Sequence, residues 1–236
     1  MASTYSSNDT QKKFGNLIDK ATAFVQANIS AIGVDFNDPF SSLDNTNPRQ
    51  IRVLDYACGP GTVTNMLIGR ATEFVGIDIS ANMVKEYNNR FTPSSNQSQS
   101  TEKINAKAYV GNLTSSTDSP SSSSFSTPEF SNFDLVAVGF GFHHFDNLPL
   151  TTSRLASRLR PGGILMILDF KPHAKEDLNG DVKSTITHHG FDEEAVRKLF
   201  EGAGLVDFHS VDMGEAVVLH NNATRYPFMA RARKPE

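Results

Sequence analysis

A short apolar run that ends in a glycine-rich turn and continues into a helical pattern constrains the fold of this chain most. Residues 51–56 predict a buried strand, residues 57–61 form the turn, and residues 62–70 predict a helix. Glycine lets backbone N–H groups and a helix N-terminus approach a ligand where a Cβ atom would block the approach. The pattern therefore predicts a strand–turn–helix unit that binds a ligand at its turn.

A second apolar run, residues 73–77, ends at Asp78. In a parallel sheet this carboxylate lies at the tip of the strand beside the first one, where it can accept hydrogen bonds from both hydroxyls of a ribose. A glycine turn together with an acidic strand end predicts a nucleoside site.

The spacing of the glycines separates two kinds of nucleoside cofactor. A dinucleotide fold uses Gly-x-Gly-x-x-Gly, and the third glycine allows close packing beside the pyrophosphate. Here Gly59 and Gly61 are followed by Thr64 at the third position, and Asp55 precedes the turn. A carboxylate at that place would repel a pyrophosphate, whereas it suits a cationic amino-acid group. An NAD-dependent oxidoreductase remains an alternative at this point.

Five motifs, in order, resemble those of the class I, or seven-β-strand, S-adenosylmethionine-dependent methyltransferases. The turn resembles the first motif, acidic-x-Gly-x-Gly-x-Gly, with Ala57 in place of the first glycine. The other four are residues 76–80 at the end of the second strand, 108–113 at the third strand and its exit, 133–140 at the fourth strand, and 159–167 at the turn into the fifth strand. Within that family the chain looks closest to the ubiquinone/menaquinone-biosynthesis-like small-molecule methyltransferases.

Strand and helix patterns alternate along the chain, which predicts a mostly parallel sheet covered on both faces. Residues 205–211 and 226–232 predict two closing strands with no helix between them, hence a hairpin with one antiparallel strand. The resemblance implies a single Rossmann-like α/β domain with a doubly wound seven-stranded sheet. We expect residues 51–236 to form this methyltransferase domain, and residues 1–50, with a helix over 10–29, to cap its pocket.

The resemblance also implies which residues bind S-adenosylmethionine. Asp78 would bind the ribose hydroxyls, and the carbonyl of Asn112 would accept a hydrogen bond from the adenine amino group, at a position where the family usually has Asp. The full set is Asp55, Ala57, Cys58, Gly59, Pro60, Gly61, Asp78, Ile79, Met83, Asn112, Leu113, Gly139 and Phe140. A sulfonium carries an activated methyl group, so the protein has mainly to align acceptor, carbon and sulfur.

Histidines are the candidate catalytic residues. His143 and His144 follow the fourth strand, at the carboxyl end of a central strand where ligands bind in α/β sheets. Neighbouring side chains point in different directions, so we expect at most one of them to face the substrate, as a general base or in the pocket wall. His188 and His189 lie in a segment that covers the acceptor pocket in relatives, and an acceptor contact or a base is the role considered there. Loop scaffolding is the alternative for all four, and their spacing predicts no metal site.

Composition indicates a protein with one ordinary core and a small-molecule partner. The 236 residues carry a formal net charge of −4, which argues against a nucleic-acid partner. No apolar run reaches the length of a membrane helix and Cys58 is the single cysteine, so we predict a cytoplasmic protein without a membrane partner. The Asn/Asp-Pro-Pro-Tyr/Phe tetrapeptide of many base- and protein-directed methyltransferases is absent after the fourth strand, which favours a small-molecule methyl acceptor. We expect a monomer or homodimer, and a non-catalytic binding protein with the same fold remains an alternative.

Overall fold

A computed structural model describes the chain at residues 7–38, 49–91, 104–114, 125–173, 187–219 and 223–236, with side chains from residue 16 onward. Two Ser- and Asn-rich segments, 92–101 and 115–127, are predicted from the sequence to be surface loops. They lie outside the described residues, apart from 125–127.

The described chain alternates between helices and strands. The helices are α1 (Ser7–Ala27), α2 (Thr62–Met66), α3 (Ala81–Phe91), α4 (Leu148–Ser157) and α5 (Glu193–Gly202). The strands are β1 (Arg52–Tyr56), β2 (Glu73–Asp78), β3 (Ala106–Val110), β4 (Phe133–Gly139), β5 (Leu159–Phe170), β6 (Val206–Asp212), β7 (Val217–Val218), β8 (Thr224–Arg225) and β9 (Pro227–Arg233). Short 3₁₀ turns lie at Ile29–Ile32, Pro128–Phe130 and Phe142–His144.

Seven strands form one sheet in the order β3-β2-β1-β4-β5-β9-β6. Strands β1 to β5 are parallel to one another, whereas β9 lies antiparallel between β5 and β6. The predicted Rossmann-like fold with an antiparallel closing strand is thereby confirmed. The sequence does not predict the separate two-stranded sheet β7–β8, which lies within the connection between β6 and β9.

The core has two layers, because successive residues of a strand point to opposite faces of the sheet. On one face the strands pack against α4 and α5, in a cluster that includes Val136, Leu155 and Phe200. On the other face they pack against α1 and α2, in a cluster that includes Val25 and Leu135. Helices on both faces leave the carboxyl edge of the strands as the place for a ligand. No helix in the described part of the chain is long and apolar enough to cross a membrane.

Helix α2 is shorter than predicted. The sequence predicts a helix as far as Arg70, whereas the helix ends at Met66. The Leu67 N–H donates to the Thr64 carbonyl at 3.1 Å, which is the tighter spacing of a final turn. Gly69 then adopts a φ of 78°, a left-handed conformation that ends a helix.

The strand register brings the predicted site residues to one edge of the sheet. Tyr56 pairs with Ile77 between β1 and β2, and Gly139 pairs with Leu168 between β4 and β5. The segments that follow these strands therefore leave the sheet side by side. The residues at these strand ends, from the turn after β1 to Asp169 near the end of β5, form the candidate site.

Candidate cofactor and acceptor site

The turn after β1 holds three residues in the left-handed region of backbone conformation. The φ angle is 55° at Ala57, 51° at Gly59 and 87° at Gly61. A Cβ atom at Gly61 would lie 2.3 Å from Cε2 of Phe91, so glycine is required there. A Cβ atom at Gly59 would meet no described atom within 4 Å. The turn is therefore packed on the Gly61 side and open at Gly59.

Asp78 joins the tip of β2 to this turn. Its Oδ2 accepts a hydrogen bond from the Gly59 N–H at 2.8 Å, and its Oδ1 accepts one from the Ser80 N–H at 2.8 Å. Burial raises the pKa of the Asp78 carboxyl, and the two N–H groups partly offset that increase. Each carboxylate oxygen has a second lone pair. Asp78 can thus hold the turn and still accept hydrogen bonds from ligand hydroxyls.

Asp55 lies beneath the turn and not on its open side. It is 1% exposed, and its Oδ2 accepts hydrogen bonds from the N–H and the Oγ1 of Thr64 at 3.0 and 2.9 Å. Thr64 Oγ1 is also 2.8 Å from the hydroxyl of Tyr87. Burial raises the pKa of Asp55 to about 7. In the structure Asp55 holds the first turn of α2, and its contact with a cationic ligand group stays a prediction.

The side chain of Asn112 is held in one orientation. Its Oδ1 accepts hydrogen bonds from the N–H of Thr114 at 2.8 Å, from Thr114 Oγ1 at 2.7 Å and from the Tyr56 hydroxyl at 3.2 Å. The backbone N–H can only donate, so this contact fixes which end of the amide is the oxygen. With three donors already on Oδ1, the group that remains for a ligand is the Nδ2 amino group. The expected acceptor role toward adenine is therefore occupied by the protein itself.

The remaining residues predicted near the adenosyl group are partly exposed and partly buried. Ile79, at the tip of β2, is 65% exposed, and Val110, which pairs with Asp78 in the sheet register, is 52% exposed. The residues that lie further inside are Cys58, Met83 and Leu113, with Pro60 partly buried. Burial raises the pKa of the Cys58 thiol well above its ordinary value, which makes it a packing residue.

The end of β4 is strained and aromatic. Phe140 has a φ of 56°, and its N–H donates to the Leu168 carbonyl at 2.7 Å. Its ring lies 5.2 Å from the ring of Phe170 at an angle of 30°. A Cβ atom at Gly139 would lie 2.5 Å from Cγ2 of Val63, so β4 packs directly against α2. A positive φ at an aromatic residue is costly and is typical of functional sites.

His143 and Asp169 form a hydrogen-bonded pair beyond the carboxyl ends of β4 and β5. His143 Nδ1 is 2.9 Å from Oδ1 and 3.1 Å from Oδ2 of Asp169, and the His143 backbone N–H donates to Oδ2 at 3.2 Å. The Phe170 N–H donates to Oδ1 at 2.8 Å. The carboxylate is fully buried, whereas the imidazole is 12% exposed. An ionised carboxylate only accepts, so Nδ1 of His143 is the donor in this pair.

The other histidines have different surroundings. His144 is exposed, although its ring lies 4.1 Å from that of His143. His188 Nε2 donates to the Phe145 carbonyl at 3.1 Å. The ring of His189 packs 5.6 Å from that of His173. Among the described residues, no group of three or more His, Cys, Asp or Glu side chains is placed to hold a metal ion.

Asp169 is the site residue that sequence reasoning missed. It lies 26 residues from His143 and on a different strand, so no local motif joins the two. The signal that could have found it is its place at the end of an apolar strand predicted beside the fourth strand. A carboxylate buried at such an end needs hydrogen-bond partners, and the neighbouring turn can supply them.

A separate cavity of about 720 Å³ lies between α4 and α5. Its lining includes Leu148, Phe191 and Leu199, with His188 at its edge. Neither the turn after β1 nor Asp78 belongs to this lining. The cavity is therefore distinct from the predicted nucleoside site.

A family model described as a methyltransferase domain matches residues 30–210 of this chain. The chain therefore belongs to the methyltransferase-domain family. The prediction that it is a member of the S-adenosylmethionine-dependent class I methyltransferases is confirmed by this match and by the sheet order.

Three similar proteins illustrate the relationship. The chain is 30% identical over 172 residues to an uncharacterized methyltransferase of Schizosaccharomyces pombe, across 70% of this chain and 57% of the relative. It is 29% identical over 130 residues to the ubiquinone/menaquinone biosynthesis C-methyltransferase UbiE of Wigglesworthia glossinidia brevipalpis, across 54% of this chain and 45% of the relative. The chain thus spans about half the length of these curated relatives. Phosphoethanolamine N-methyltransferase 2 of Haemonchus contortus, solved with S-adenosyl-L-methionine, shares the fold with a TM-score of 0.56 and 15% identity, across 84% of this chain and 52% of that one.

Proposed function

We propose that this chain transfers a methyl group from S-adenosylmethionine to a small-molecule acceptor by in-line displacement. The observation that carries the proposal is the junction of Gly59 and Asp78, where an open turn is bonded to the carboxylate at the tip of the next strand. The family match supports it. When bound, S-adenosylmethionine supplies an activated methyl group on a positively charged sulfur.

Four features of the chain fit the parts of this cofactor. The remaining lone pairs of Asp78 suit the ribose hydroxyls, and the exposed side chain of Ile79 offers an apolar surface for one face of adenine. The Nδ2 group of Asn112 can donate to a ring nitrogen of adenine, because Oδ1 is already occupied. The open side of the turn at Gly59, where a Cβ atom would meet no described atom within 4 Å, leaves room for the amino-acid part of the cofactor. Asp55 supports this turn from below.

The acceptor side of the proposed site is apolar. Leu17 of α1 packs with Phe170 and Val217 in one buried cluster, and Phe140 lies against it. The Lys20 ammonium is 2.6 Å from the carboxylate of Glu215, next to β7. These contacts support the division into residues 1–50, which cap the pocket, and residues 51–236, which form the methyltransferase domain. An apolar acceptor of low molecular mass fits such a wall better than a polyanion does, given the net charge of −4.

The alternative of an NAD-dependent oxidoreductase is disfavoured by two observations. Thr64, at the place of the third dinucleotide glycine, is engaged with Asp55. The sheet ends with an antiparallel strand between β5 and β6, unlike the parallel order of dinucleotide folds. The buried single cysteine fits the proposed cytoplasmic location, and we propose a monomer or homodimer.

Methyl transfer from labelled S-adenosylmethionine into a metabolite extract tests the proposal with the full chain. We expect label in a product of low molecular mass. Asp78→Ala should abolish that transfer, whereas Asp212→Ala, at an exposed aspartate on the edge strand β6, should retain it. Cofactor binding with no labelled product would instead favour a non-catalytic binding protein. Binding of NAD and not of S-adenosylmethionine would support the oxidoreductase.

A further inference from the structure

We propose that the cavity between α4 and α5 is a second small-molecule site, which binds an uncharged and largely apolar ligand apart from the nucleoside site. Its volume of about 720 Å³ is typical of sites that enclose a small molecule, which measure about 300–1,000 Å³. Most of its lining is apolar, and this part consists of Leu148, Pro149, Pro172, Phe191, Ala195 and Leu199. The inference goes beyond the proposed methyl transfer and does not depend on it.

The wall formed by residues 188–191 is held firmly against the end of β5. The Phe191 N–H donates to the Phe170 carbonyl at 2.9 Å. Gly190 has a φ of 85°, and a Cβ atom there would lie 2.2 Å from the Lys171 carbonyl oxygen. The backbone of Gly190 therefore packs directly on the backbone of Lys171. A wall fixed in this way is formed before any ligand arrives, as in most small-molecule sites.

The apolar part of the lining includes an aromatic ring. The ring of Phe191 lies 5.4 Å from that of Phe142, which is fully buried, and 5.7 Å from that of His188 at the edge of the cavity. Leu148 of α4 and Leu199 of α5 also line the cavity. Aromatic rings favour offset or tilted contacts with other rings at such separations. The lining therefore suits a ligand with an aromatic or similarly flat apolar body.

The charged groups of the lining already have partners in the protein. Asp192 Oδ1 accepts the Ala195 N–H at 2.7 Å, at the N-terminus of α5 where a negative charge is favourable. The Lys198 ammonium lies 3.4 Å from the carboxylate of Glu194. Asp192 and Lys198 also carry opposite charges, so together they add no net charge to the lining. A charged ligand would lose its hydration and gain no unpaired counter-charge, which favours an uncharged ligand.

The surroundings of the cavity favour a small molecule over a second protein. A stable protein interface extends over more than about 1,000 Å² and has an apolar centre. The large apolar side chains that are exposed in the described part of the chain lie outside this lining: Ile68, Ile79, Val110, Val206, Val218 and Tyr226. The apolar surface is therefore confined to the cavity.

The wall of the cavity is also bonded to the loop after β4. The N–H groups of Thr187 and His188 donate to the His143 carbonyl at 3.1 and 3.0 Å, and His188 Nε2 donates to the Phe145 carbonyl at 3.1 Å. A ligand that packs against His188 binds the closed form of this segment and not an opened one. Binding therefore stabilises these hydrogen bonds by mass action.

The first test titrates two matched probes into the full chain. N-phenyl-1-naphthylamine is uncharged, and 1-anilinonaphthalene-8-sulfonate carries a sulfonate on the same aromatic skeleton. We expect saturable fluorescence enhancement with the uncharged probe, and binding of the sulfonate that is weaker by about tenfold or more. Equal or tighter binding of the sulfonate would overturn the ligand class, and the absence of binding by the uncharged probe would overturn the site.

The second test fills the cavity. Gly202 lines it, and a Cβ atom there would meet no described atom within 4 Å, so the side chain of Gly202→Leu has open space to enter. This variant should weaken binding of the uncharged probe by about tenfold or more, and Ala195→Leu should act in the same direction. Glu201→Leu places the same side chain on α5 outside the lining, and it is the matched control. Unchanged affinity in both filled variants, with their folding checked by urea unfolding, would overturn the proposal.

The third test locates the bound probe by hydrogen exchange. With N-phenyl-1-naphthylamine at about ten times its Kd, the amides of Thr187 and His188 should exchange about tenfold more slowly. The amide of Leu113, which donates to the Tyr56 hydroxyl at 3.1 Å near the nucleoside site, should not change. Protection of Leu113 without protection of Thr187 and His188 would place the probe at the nucleoside site and contradict the proposal.

Two further measurements separate this inference from its alternatives. Saturating S-adenosylhomocysteine should leave the probe bound, whereas displacement would show that the cavity belongs to the cofactor site. If S-adenosylhomocysteine does not bind at all, the proposed function fails while the probe titrations still test the cavity. Sedimentation should give the same oligomeric state for the wild type and Gly202→Leu. A wild-type dimer that becomes a monomer in Gly202→Leu would show an interface between copies of the chain and overturn the proposal.

Discussion

Ala57 is a non-glycine residue with a left-handed backbone conformation in the turn after β1. It adopts a φ of 55°, a conformation in which a Cβ atom costs about 1–2 kcal/mol. The methyl group of Ala57 has room because the residue facing it, Gly141, has no side chain: a Cβ atom at Gly141 would lie only 3.1 Å from that of Ala57. The position where the family motif usually has glycine therefore keeps a glycine-like backbone in this chain.

The substitution Ala57→Gly should leave stability unchanged or increase it. Relief of the left-handed strain is offset by the greater freedom of glycine in the unfolded chain, about 0.5–1 kcal/mol, so the net gain lies between zero and about 1.5 kcal/mol. Urea unfolding measures it. Ala195→Gly, in the right-handed backbone of α5, is the control and should lower the free energy of unfolding by about 0.5–1 kcal/mol. Equal destabilisation by both changes would contradict the strained turn.

Asp55 predicts a dependence of stability on pH. Burial raises its pKa to about 7 in the folded chain, from an ordinary value of 3.8. Between these values the folded chain holds a proton that the unfolded chain has lost, so this carboxyl reduces stability as the pH rises from about 4 to about 7.

The isosteric variant Asp55→Asn removes this titration. The free energy of unfolding of the variant minus that of the wild type should increase by on the order of 1 kcal/mol per pH unit between pH 5 and pH 7. Above pH 7 this difference should level off. Urea unfolding at several pH values checks this, with Asp212→Asn as an exposed control. Parallel curves for the wild type and Asp55→Asn would show that Asp55 is ionised throughout.

At the scale of elements, α1 and the β7–β8 pair pack together over the end of β5, on the side where we propose that the acceptor binds. Leu17 of α1 is 3% exposed, and it belongs to the same cluster as Phe170 and Val217. Further along the helix, Ala21 and Val25 join the core on the α2 face of the sheet. The helix is therefore part of the folded core, and Leu17 connects it to the rings of Phe170 and Phe140.

Leu17→Ala should weaken this connection without affecting the cofactor end. Truncation of a buried leucine costs about 2–5 kcal/mol, so we expect a loss of stability in that range. Affinity for S-adenosylhomocysteine should change less than about threefold, which corresponds to less than about 1 kcal/mol. The KM for the acceptor should rise. Ile18→Ala, on the partly exposed side of the same helix, is the control. A large loss of cofactor affinity in Leu17→Ala would contradict the placement of α1.

The elements that the sequence predicts correctly are those with strong local patterns. Strands β1, β2 and β4 are short, largely apolar segments, and β9 overlaps the closing strand predicted at residues 226–232. Helix α2 ends before Gly69, which adopts a left-handed conformation. The apolar pattern of residues 62–70 predicts a longer helix in spite of this glycine. The pair β7–β8 has only two residues in each strand, which is too short for any periodicity.

At the scale of the whole molecule, the site depends on contacts between segments that are distant in sequence. The positions of Gly59 and Asp78 follow from motifs, so their junction could be expected. The use of Asn112 Oδ1 by Thr114 and Tyr56 depends on how the end of β1 and the segment after β3 meet. The pairing of His143 with Asp169 depends on the order of strands β4 and β5. Motifs predict which segments form the site, whereas the tertiary structure decides which atoms remain for a ligand.

The central claim is that Gly59 and Asp78 together hold an adenosyl cofactor. Its most direct test is calorimetric titration of S-adenosylhomocysteine and NAD into the full chain and into Asp78→Ala, with Asp212→Ala as the control. We predict that S-adenosylhomocysteine binds and NAD does not, and that Asp78→Ala weakens binding by about 1–3 kcal/mol, because ligand hydroxyls lose a charged acceptor. Unchanged affinity in Asp78→Ala, or binding of NAD instead, would contradict the account.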